Sequence, residues 1–330
     1  MLRSLTARHD RFGLSSPFRI SRGVRTEADV VTVAVRQGEH VGRGEGVPIA
    51  RYNETIESSL AAITAIAPLV ENGASRAELS AAMPACAARN AVDNALWDLE
   101  ARLAGTSVSH LAGMAPPRPV PTAITISIDT PEAMAAAAAR FAEVPLLKVK
   151  VDRDNPQARI AAVRAVAASP RLIVDANESW TIADVIALQD FLLEQRVDLL
   201  EQPLPAAEDE VLAGFEARLP ICADESLHTR ADLDRLVRRY SHVNIKLDKT
   251  GGLTEALALA DAARDRGFGL MVGCMVCSSL GIAPAMLIAA GAEFADLDGP
   301  LWLALDREGG ARAENGVLLP PAPGFWGASE

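Results

Sequence analysis

The second half of the chain repeats one pattern of hydrophobic and polar positions. Short runs that are apolar throughout alternate with longer stretches whose apolar residues recur at helical spacing. A run of consecutive apolar residues is typical of a strand that is buried on both faces. Eight such runs lie at 122–128, 146–151, 171–177, 197–203, 220–226, 242–248, 269–275 and 294–300. The helical stretches between them include 131–143, 156–169, 181–196, 230–240 and 253–266.

This alternation predicts a parallel α/β barrel, with a doubly wound open sheet as the alternative. The preceding part of the chain has a different pattern. Residues 1–50 have the composition of strands, and we interpret the glycine-rich stretch 42–46 as a turn. Residues 53–104 have helical periodicity that ends at Gly105, a typical C-cap residue. The proline-rich segment 114–121 marks the expected domain boundary.

Composition and charge exclude several classes of protein. The chain has 330 residues, 49% of them hydrophobic, and a net charge of −11 without any basic run, so we expect no nucleic-acid partner. The uncharged stretch 267–292 contains Ser279, Gly281 and Pro284, so we interpret it as a buried strand, turn and helix rather than a membrane span. The first residues lack the apolar region of a signal peptide.

Four cysteines are too few and too scattered for a disulfide scaffold, which favours a reducing, cytoplasmic compartment. Cys274 and Cys277 form a C-x-x-C pair. A thioredoxin-type pair opens a helix in a small βαβ domain, so we interpret these two residues as small apolar side chains near a strand end.

Charged residues end five consecutive strands of the predicted barrel. They are Lys150, Asp175, Glu201, Asp224 and Lys246, spaced 25, 26, 23 and 22 residues apart. Because a barrel carries its active site at the C-terminal ends of its strands, residues that recur once per unit at those ends converge on one place. The alternative is a set of solvated acids at the starts of loops.

The three acids in this set predict a metal site. Converging carboxylates repel one another unless a cation lies between them. A set of oxygen ligands without histidine or cysteine favours Mg²⁺ over zinc.

The lysines of this set predict proton transfer. Lys148 and Lys150 are two residues apart, so they share one face of their strand, and we expect the pKa of one of them to be lowered. Lys246 is four units further along the chain, on the opposite wall of an eight-stranded barrel. One lysine on each side of a substrate carbon suits a 1,1-proton transfer through a metal-stabilised enolate.

Five sequence strings occur in the order of a known family. They are KVK, DANESW, EQPLP, ADES and NIKLDKTGG. In this order they resemble the muconate-lactonising branch of the enolase superfamily, and within it the bacterial dipeptide epimerases that act on alanyl-glutamate. The resemblance extends from SPFRISRGVRTEA near the start to FADLDGPLWLA near the end.

The resemblance implies a (β/α)7β barrel, of the TIM type, with an N-terminal α+β capping domain. We expect the cap to span 1–115, completed by 305–330, and the barrel to span 116–304. The implied cofactor is one Mg²⁺ per subunit, held by Asp175, Glu201 and Asp224. Lys150 and Lys246 would be the acid/base catalysts, and Lys148 would neutralise the metal-bound carboxylate. Lys249 competes with Lys246, but it lies beyond the strand end.

Other residues predict the substrate. Asp296 and Asp298 share one face of the last strand, and their carboxylates suit the ammonium group of a dipeptide. Arg25 resembles the arginine of the family's capping loop that contacts the glutamate side chain, with Arg19 and Arg22 as rivals. Thr125, on the first barrel strand, is a further candidate for a hydrogen bond to the substrate.

The resemblance implies epimerisation of L-Ala-D/L-Glu, with a role in recycling murein peptides. The alternatives are epimerisation of another dipeptide, N-acylamino acid racemisation, cycloisomerisation, succinylbenzoate synthesis, barrel-based hydrolysis and a non-catalytic binding barrel. We expect a small-molecule dipeptide as the partner and no membrane. The oligomeric state stays open, with a homo-oligomer as one option.

Overall fold

The structure is a computed structural model that describes residues 3–20 and 23–327. Its strands are β1 Ser4–Ile20, β2 Gly23–Gln37, β3 His40–Gly46, β4 Val120–Pro121, β5 Ile124–Ile126, β6 Leu146–Lys150, β7 Arg171–Asp175, β8 Leu199–Glu201, β9 Ile221–Ala223, β10 His242–Lys246, β11 Gly269–Gly273, β12 Phe294–Asp296, β13 Arg312–Glu314 and β14 Val317–Leu319. Its α-helices are α1 Ile56–Glu71, α2 Arg76–Ala82, α3 Ala87–Ala104, α4 Val108–Leu111, α5 Pro131–Ala139, α6 Pro156–Val166, α7 Ile182–Glu194, α8 Leu233–Leu236, α9 Leu247–Thr250, α10 Leu253–Asp265, α11 Ser279–Ile282 and α12 Ala285–Ala289.

Strands β5 to β12 form a parallel barrel, as the eight apolar runs predict. Each strand pairs with the next one along the chain. The sheet closes between its first and last strands, where the Ala123 N–H donates to the Ala295 carbonyl at 2.8 Å. Seven buried side chains fill the lower part of the barrel: Ala123, Leu146, Ile173, Leu199, Cys222, Met271 and Phe294. The closure excludes the doubly wound alternative.

The helices around the barrel match the predicted stretches, with one shortened region. Helices α5, α6, α7 and α10 lie within 131–143, 156–169, 181–196 and 253–266. The stretch 230–240 forms a 3₁₀ turn, Arg230–Asp232, followed by the single turn of α8. The connection after β8 contains the 3₁₀ helix Asp209–Gly214 and no α-helix.

The interpretation of 42–46 as a turn is wrong. The turn lies at 38–39, and the glycines belong to β3, which pairs with β2 in the antiparallel sheet β1-β2-β3. Helix α3 lies directly on this strand. A Cβ on Gly44 would be 2.1 Å from the Ala91 carbonyl oxygen, so the strand needs glycine for the close approach of the helix.

Buried polar contacts join the N-terminal sheet and helices to the barrel. On α3, Arg89 donates to the Gly251 carbonyl at 2.9 Å, and Asp93 accepts from the Thr254 hydroxyl at 2.6 Å. The C-terminal segment also contacts this part of the chain. Arg307 pairs with Glu45 of β3 at 2.8 Å, and the Gly327 N–H donates to Asp98 of α3 at 2.7 Å.

The uncharged stretch 267–292 forms a strand and two short helices, as interpreted from the sequence. It contains β11, α11 and α12. No helix in the described residues is long and apolar enough to cross a membrane.

Candidate active site

A cavity of about 370 Å³ lies between the C-terminal ends of the barrel strands and the N-terminal sheet. The predicted site residues that line it are Arg25, Thr125, Lys148, Lys150, Asp224, Lys246, Asp296 and Asp298. The two remaining predicted residues, Asp175 and Glu201, are fully buried at strand ends. Most of the residues that the sequence predicts for the site therefore line one cavity.

Parallel pairing places charged residues of adjacent strands side by side. Lys150 is opposite Asp175, and Asp175 is opposite Glu201. Because each lies at the last position of its strand, the side chains meet at one end of the barrel. The predicted convergence of the strand-end charges is thus present in β6, β7 and β8.

Lys148 lies at the centre of the charge cluster. Its ammonium is 2.6 Å from Glu201 Oε2, 2.8 Å from Asp296 Oδ2 and 3.0 Å from Asp175 Oδ2. The neighbouring Lys150 donates to Asp175 Oδ2 at 2.6 Å. Both lysines are thus compensated by acids, which is the condition for burying an ammonium group.

Asp224 is held by two lysines that differ in exposure to the cavity. Lys246 lines the cavity and donates to Asp224 Oδ2 at 2.7 Å. Lys249 is buried behind the strand end, where it donates to Asp224 Oδ1 at 2.6 Å and to the Asn244 carbonyl at 3.1 Å. This arrangement supports Lys246 over Lys249 as the group that faces a substrate.

Burial and neighbouring charges shift the carboxyl groups in different directions. Burial and the charge of Asp175 outweigh the opposing charge of Lys148 and raise the pKa of Glu201 to about 7. Burial also acts to raise the pKa of Asp175, but the charges of Lys150 and Lys148 outweigh burial and lower this pKa to about 2. The same balance lowers the pKa of Asp224, where Lys246 is the largest opposing charge.

We expected the pKa of one lysine of the Lys148–Lys150 pair to fall, but for Lys148 the opposite is found. Burial acts to lower the pKa of Lys148, yet the carboxylates of Asp296, Glu201 and Asp175 outweigh it. Asp224 likewise raises the pKa of Lys246 against its burial. The acids that surround Lys148 come from other strands, so the spacing of the two lysines along β6 does not predict the effect of these acids on its pKa.

The donor set fits a hard divalent cation. Asp175, Glu201 and Asp224 offer only oxygen atoms, at the C-terminal ends of three successive strands. Glu201 Oε2 is close to Lys148, yet in the described residues it accepts no hydrogen bond of good geometry. In the same described part of the chain, no three acidic, histidine or cysteine side chains already form a metal cage. The ammonium groups of Lys148, Lys150 and Lys246 contact these acids instead. At least one of these lysine side chains must therefore move when a cation binds.

Asp296 and Asp298 lie together on one side of the cavity. Asp298 Oδ2 accepts from the Thr125 backbone N–H at 2.8 Å, so Thr125 orients this carboxylate. Asp296 pairs with Lys148 through Oδ2, while its buried Oδ1 has no hydrogen-bond partner among the described residues. Burial, with the charge of Asp296, raises the pKa of Asp298 to about 6. A pair of buried acids of this kind would be stabilised by a cationic ligand group.

The described part of the N-terminal domain contributes two arginines to the cavity. Arg25 of β2 lines it, whereas its rival Arg19 does not; the third candidate, Arg22, lies outside the described residues. Arg51 also lines the cavity, and sequence reasoning missed it, because this arginine lies between the strand-like residues 1–50 and the helical stretch 53–104 and belongs to no motif.

Sequence reasoning also missed Asn244. This buried residue donates from its side-chain amide to Glu201 Oε1 at 2.9 Å. It is two residues before Lys246 on β10, so the same two-residue spacing that pairs Lys148 with Lys150 could have identified it.

Two family models match the chain. The description "Mandelate racemase / muconate lactonizing enzyme, N-terminal domain" covers residues 2–113, and "Enolase C-terminal domain-like" covers residues 132–325. The chain belongs to the enolase superfamily. The strand-end lysines and acids thus lie in the two-domain frame of a known enzyme family.

Several curated relatives match almost the whole chain. A protein of Escherichia coli (strain K12) named L-Ala-D/L-Glu epimerase is 47% identical over 96% of this chain and 99% of its own. A protein of a Pseudoalteromonas species named N-acetyl-D-glutamate racemase is 43% identical over 91% of this chain and 96% of its own. Both names describe inversion at a carbon atom, and this enolase superfamily member is accordingly an isomerase.

Solved structures of the superfamily agree with this assignment. A family member from Agrobacterium tumefaciens, described with homology to dipeptide epimerases and with bound sodium and L-Ala-L-Glu, is 49% identical, covers 98% of this chain and 100% of its own, and has a TM-score of 0.96. The dipeptide epimerase of Cytophaga hutchinsonii, described as complexed with Mg and D-Ala-L-Val, is 27% identical, covers 99% of this chain and 95% of its own, and has a TM-score of 0.91. Together the comparisons support epimerisation of a dipeptide.

Proposed function

We propose that this protein inverts the α-carbon of the glutamate residue in L-Ala-D/L-Glu, with Mg²⁺ as cofactor. The observation that carries the proposal is the position of two cavity-lining lysines. Lys150 is on the second barrel strand and Lys246 on the sixth, so they are four strands apart in a ring of eight. They therefore lie on opposite walls of the cavity, as a two-base inversion requires.

Asp175, Glu201 and Asp224 would hold the cation. When bound, Mg²⁺ supplies positive charge that lowers the free energy of a carbanion next to a carboxylate. Each proposed catalytic amine contacts one of these acids: Lys150 contacts Asp175, and Lys246 contacts Asp224. Lys148, which is buried among Asp175, Glu201 and Asp296, would balance the negative charge of the substrate carboxylate.

The lysines would carry out the proton transfer. In its neutral form, one of Lys150 and Lys246 removes the α-proton from one face of the carbon. The other, as an ammonium, returns a proton to the opposite face. Exchange of the two roles would allow reaction in both directions.

The substrate's two ends would meet opposite charges. The buried acids Asp296 and Asp298 suit the ammonium of the alanine residue, and Thr125 holds Asp298 in place. Arg25, from the N-terminal sheet, suits the side-chain carboxylate of glutamate, because a guanidinium binds carboxylates in a bidentate manner. Release and reuse of murein peptides in the cytoplasm is the role that this substrate would imply.

The second candidate is racemisation of an N-acylated glutamate. The 43% identical relative named N-acetyl-D-glutamate racemase favours it. Such a substrate carries no ammonium group for Asp296 and Asp298. The two candidates therefore differ in what these acids contribute to binding.

The test is an isotope experiment with Mg²⁺ in deuterated water. The protein is incubated with L-Ala-L-Glu or with N-acetyl-L-glutamate, and the glutamate α-proton is followed by NMR. We expect exchange with inversion for the dipeptide and loss of the reaction when a chelator removes the metal. Turnover of N-acetylglutamate alone would favour the second candidate, and no exchange with either substrate would refute both.

Two sets of variants assign the residues. Lys150→Met and Lys246→Met should each abolish inversion, while one of them retains exchange from a single enantiomer. Asp298→Asn should raise KM for the dipeptide by about 10- to 100-fold, since a charge-assisted hydrogen bond contributes roughly 1.5–3 kcal/mol. It should leave any turnover of N-acetylglutamate unimpaired. Full activity of both lysine variants would rule out the two-base mechanism.

A further inference from the structure

One wall of the cavity comes from residues 49–52 of the N-terminal domain. Ile49, Ala50, Arg51 and Tyr52 all line the cavity. Three of them form a single 3₁₀ turn, Ala50–Tyr52, and no side chain caps the start of this turn. A turn of this length has little stability of its own, so its position depends on contacts with the rest of the protein, including the barrel.

Among the contacts of the described residues, two side-chain contacts join this segment to different barrel loops. The Tyr52 ring packs edge-on against the His228 ring, with 4.5 Å between centroids. Arg51 forms a bidentate ion pair with Glu178, in which Nε and Nη2 each lie 2.9 Å from a carboxylate oxygen. Glu178 belongs to the loop that follows Asp175, and His228 to the loop that follows Asp224.

Glu178 is a fixed partner for Arg51. Its side chain is 8% exposed, and its Oε1 also accepts from the Ala206 backbone N–H at 2.9 Å. Its φ of 66° is in the left-handed region, which a glutamate occupies only where surrounding contacts impose it. Glu178 therefore keeps its position independently of Arg51 and connects the loops after β7 and β8.

Arg51 itself is 43% exposed. Ion pairs with a partner this exposed add little to the free energy of unfolding, because water screens the charges. Their geometric effect is larger, since a bidentate guanidinium–carboxylate pair fixes both distance and orientation. The pair therefore fixes the position of the wall but adds little to the free energy of unfolding.

We propose that Arg51 is a positioning residue: through Glu178 it holds the wall 49–52 over the barrel, and thereby sets the affinity for substrate. The inference rests on the proposed function for its kinetic consequence. The wall does not include the lysines that transfer protons, so it contacts substrate and transition state alike. Loss of such an interaction raises KM and leaves kcat nearly unchanged.

The test compares Arg51→Met with a matched control, Arg230→Met. Arg230 also forms a two-point pair with a glutamate, Glu255, at 3.1 and 3.0 Å, and is 55% exposed, but it does not line the cavity. Arg51→Met should raise KM for L-Ala-L-Glu by about tenfold, since two wall side chains must then be ordered by the substrate. Arg230→Met should leave KM unchanged, and both variants should lower the melting temperature by no more than about 3 °C.

Further variants test whether Arg51 acts through Glu178. Arg51→Lys, which keeps the charge, should recover part of the affinity. Glu178→Gln keeps an acceptor for the Ala206 N–H. As a single change it should raise KM, but combined with Arg51→Met it should not raise KM further. A wild-type KM for Arg51→Met would overturn the proposal. Additive effects of the two changes would also overturn it, because Arg51 would then bind the substrate directly.

Hydrogen exchange provides a readout that needs no substrate. Backbone amides of 49–54 should exchange faster in Arg51→Met than in the wild type or in Arg230→Met. If the wild type fails to invert the dipeptide but the exchange difference is present, the proposed substrate is wrong and the positioning role stands. Equal exchange in all three proteins shows that Arg51 does not hold the wall.

Discussion

Asn244 shows how a single neutral side chain prepares the charged site. It is fully buried on β10, and its amide donates to Glu201 Oε1 at 2.9 Å. Burial and Asp175 raise the pKa of Glu201 to about 7, so this carboxyl group is the least stable anion of the proposed ligand set. A hydrogen bond from a neutral donor fixes its orientation without adding a charge.

Replacement of Asn244 by leucine should therefore weaken Mg²⁺ binding. Leucine has a similar volume but no donor, and loss of an outer hydrogen bond to a metal ligand typically costs about 10- to 100-fold in affinity. Calorimetric titration with Mg²⁺ measures the change. Lys246→Met is the comparison on the same strand: it removes the ammonium that pairs with Asp224 and competes with a cation there, so it should not weaken binding. An unchanged dissociation constant for Asn244→Leu would contradict this role.

The same region shows what local reasoning about charge misses. Two adjacent lysines should lower each other's pKa, yet Lys148 has a raised pKa, because Asp296, Glu201 and Asp175 surround it. The acids come from three other strands. Their proximity follows from barrel closure and not from the spacing along β6.

At the scale of elements, a stripe of glycines joins β3 to α3. Gly42, Gly44 and Gly46 are two residues apart, so they share one face of the strand. A Cβ on each would be 2.1 Å from a carbonyl oxygen of α3. The helix thus packs against the strand backbone, closer than any side chain would allow.

Gly44→Ala should strongly destabilise the N-terminal domain. The added methyl group clashes with helix backbone, so the helix must move away from the strand, and we expect a loss of about 3 kcal/mol in the free energy of unfolding. Gly13→Ala in β1 is the matched control, because no atom lies within 4 Å of its would-be Cβ. Thermal unfolding by calorimetry measures both. Equal melting temperatures for the two variants would refute the packing argument.

At the scale of the whole molecule, the interface between α3 and the barrel depends on buried carboxyl groups. Asp93 accepts from the Thr254 hydroxyl at 2.6 Å and from the Thr254 N–H at 3.0 Å. Burial raises the pKa of Asp93 to about 6, although Thr254 and the charges of Arg76 and Arg89 act in the opposite direction. The folded protein therefore binds this proton more tightly than the unfolded chain does.

This difference predicts a gain of stability on acidification. Between pH 7 and 4 the folded state takes up a proton at Asp93 that the unfolded state, with a pKa near 3.8, still lacks. The free energy of unfolding should rise by roughly 2–3 kcal/mol through this group as the pH falls. Because other groups titrate in the same range, the quantity to measure is the difference between wild type and Asp93→Asn. Chemical unfolding of both proteins at pH 7, 6, 5 and 4 measures this difference in the free energy of unfolding. A difference that does not change with pH would contradict the role of Asp93.

The sequence alone determined the barrel, its eight strands and the strand-end charges. These features depend on local properties: consecutive apolar residues specify strands buried on both faces, and the unit length of about 25 residues repeats the charges at one end. The family resemblance added the assignment of roles to these charges. Roles of individual residues, including the metal ligands and the two lysines, stay predictions for the experiments above.

Only the tertiary structure decided the remaining features. Glycine-rich residues 42–46 form a strand, because contact with a distant helix outweighs the local tendency of glycine to form turns. Arg51 and Asn244 join the site through partners that are 127 and 43 residues away in sequence. The spacing along β10 places Asn244 on the face of Lys246, but no local pattern gives the partner of either residue, because these contacts arise from the path of the backbone in space.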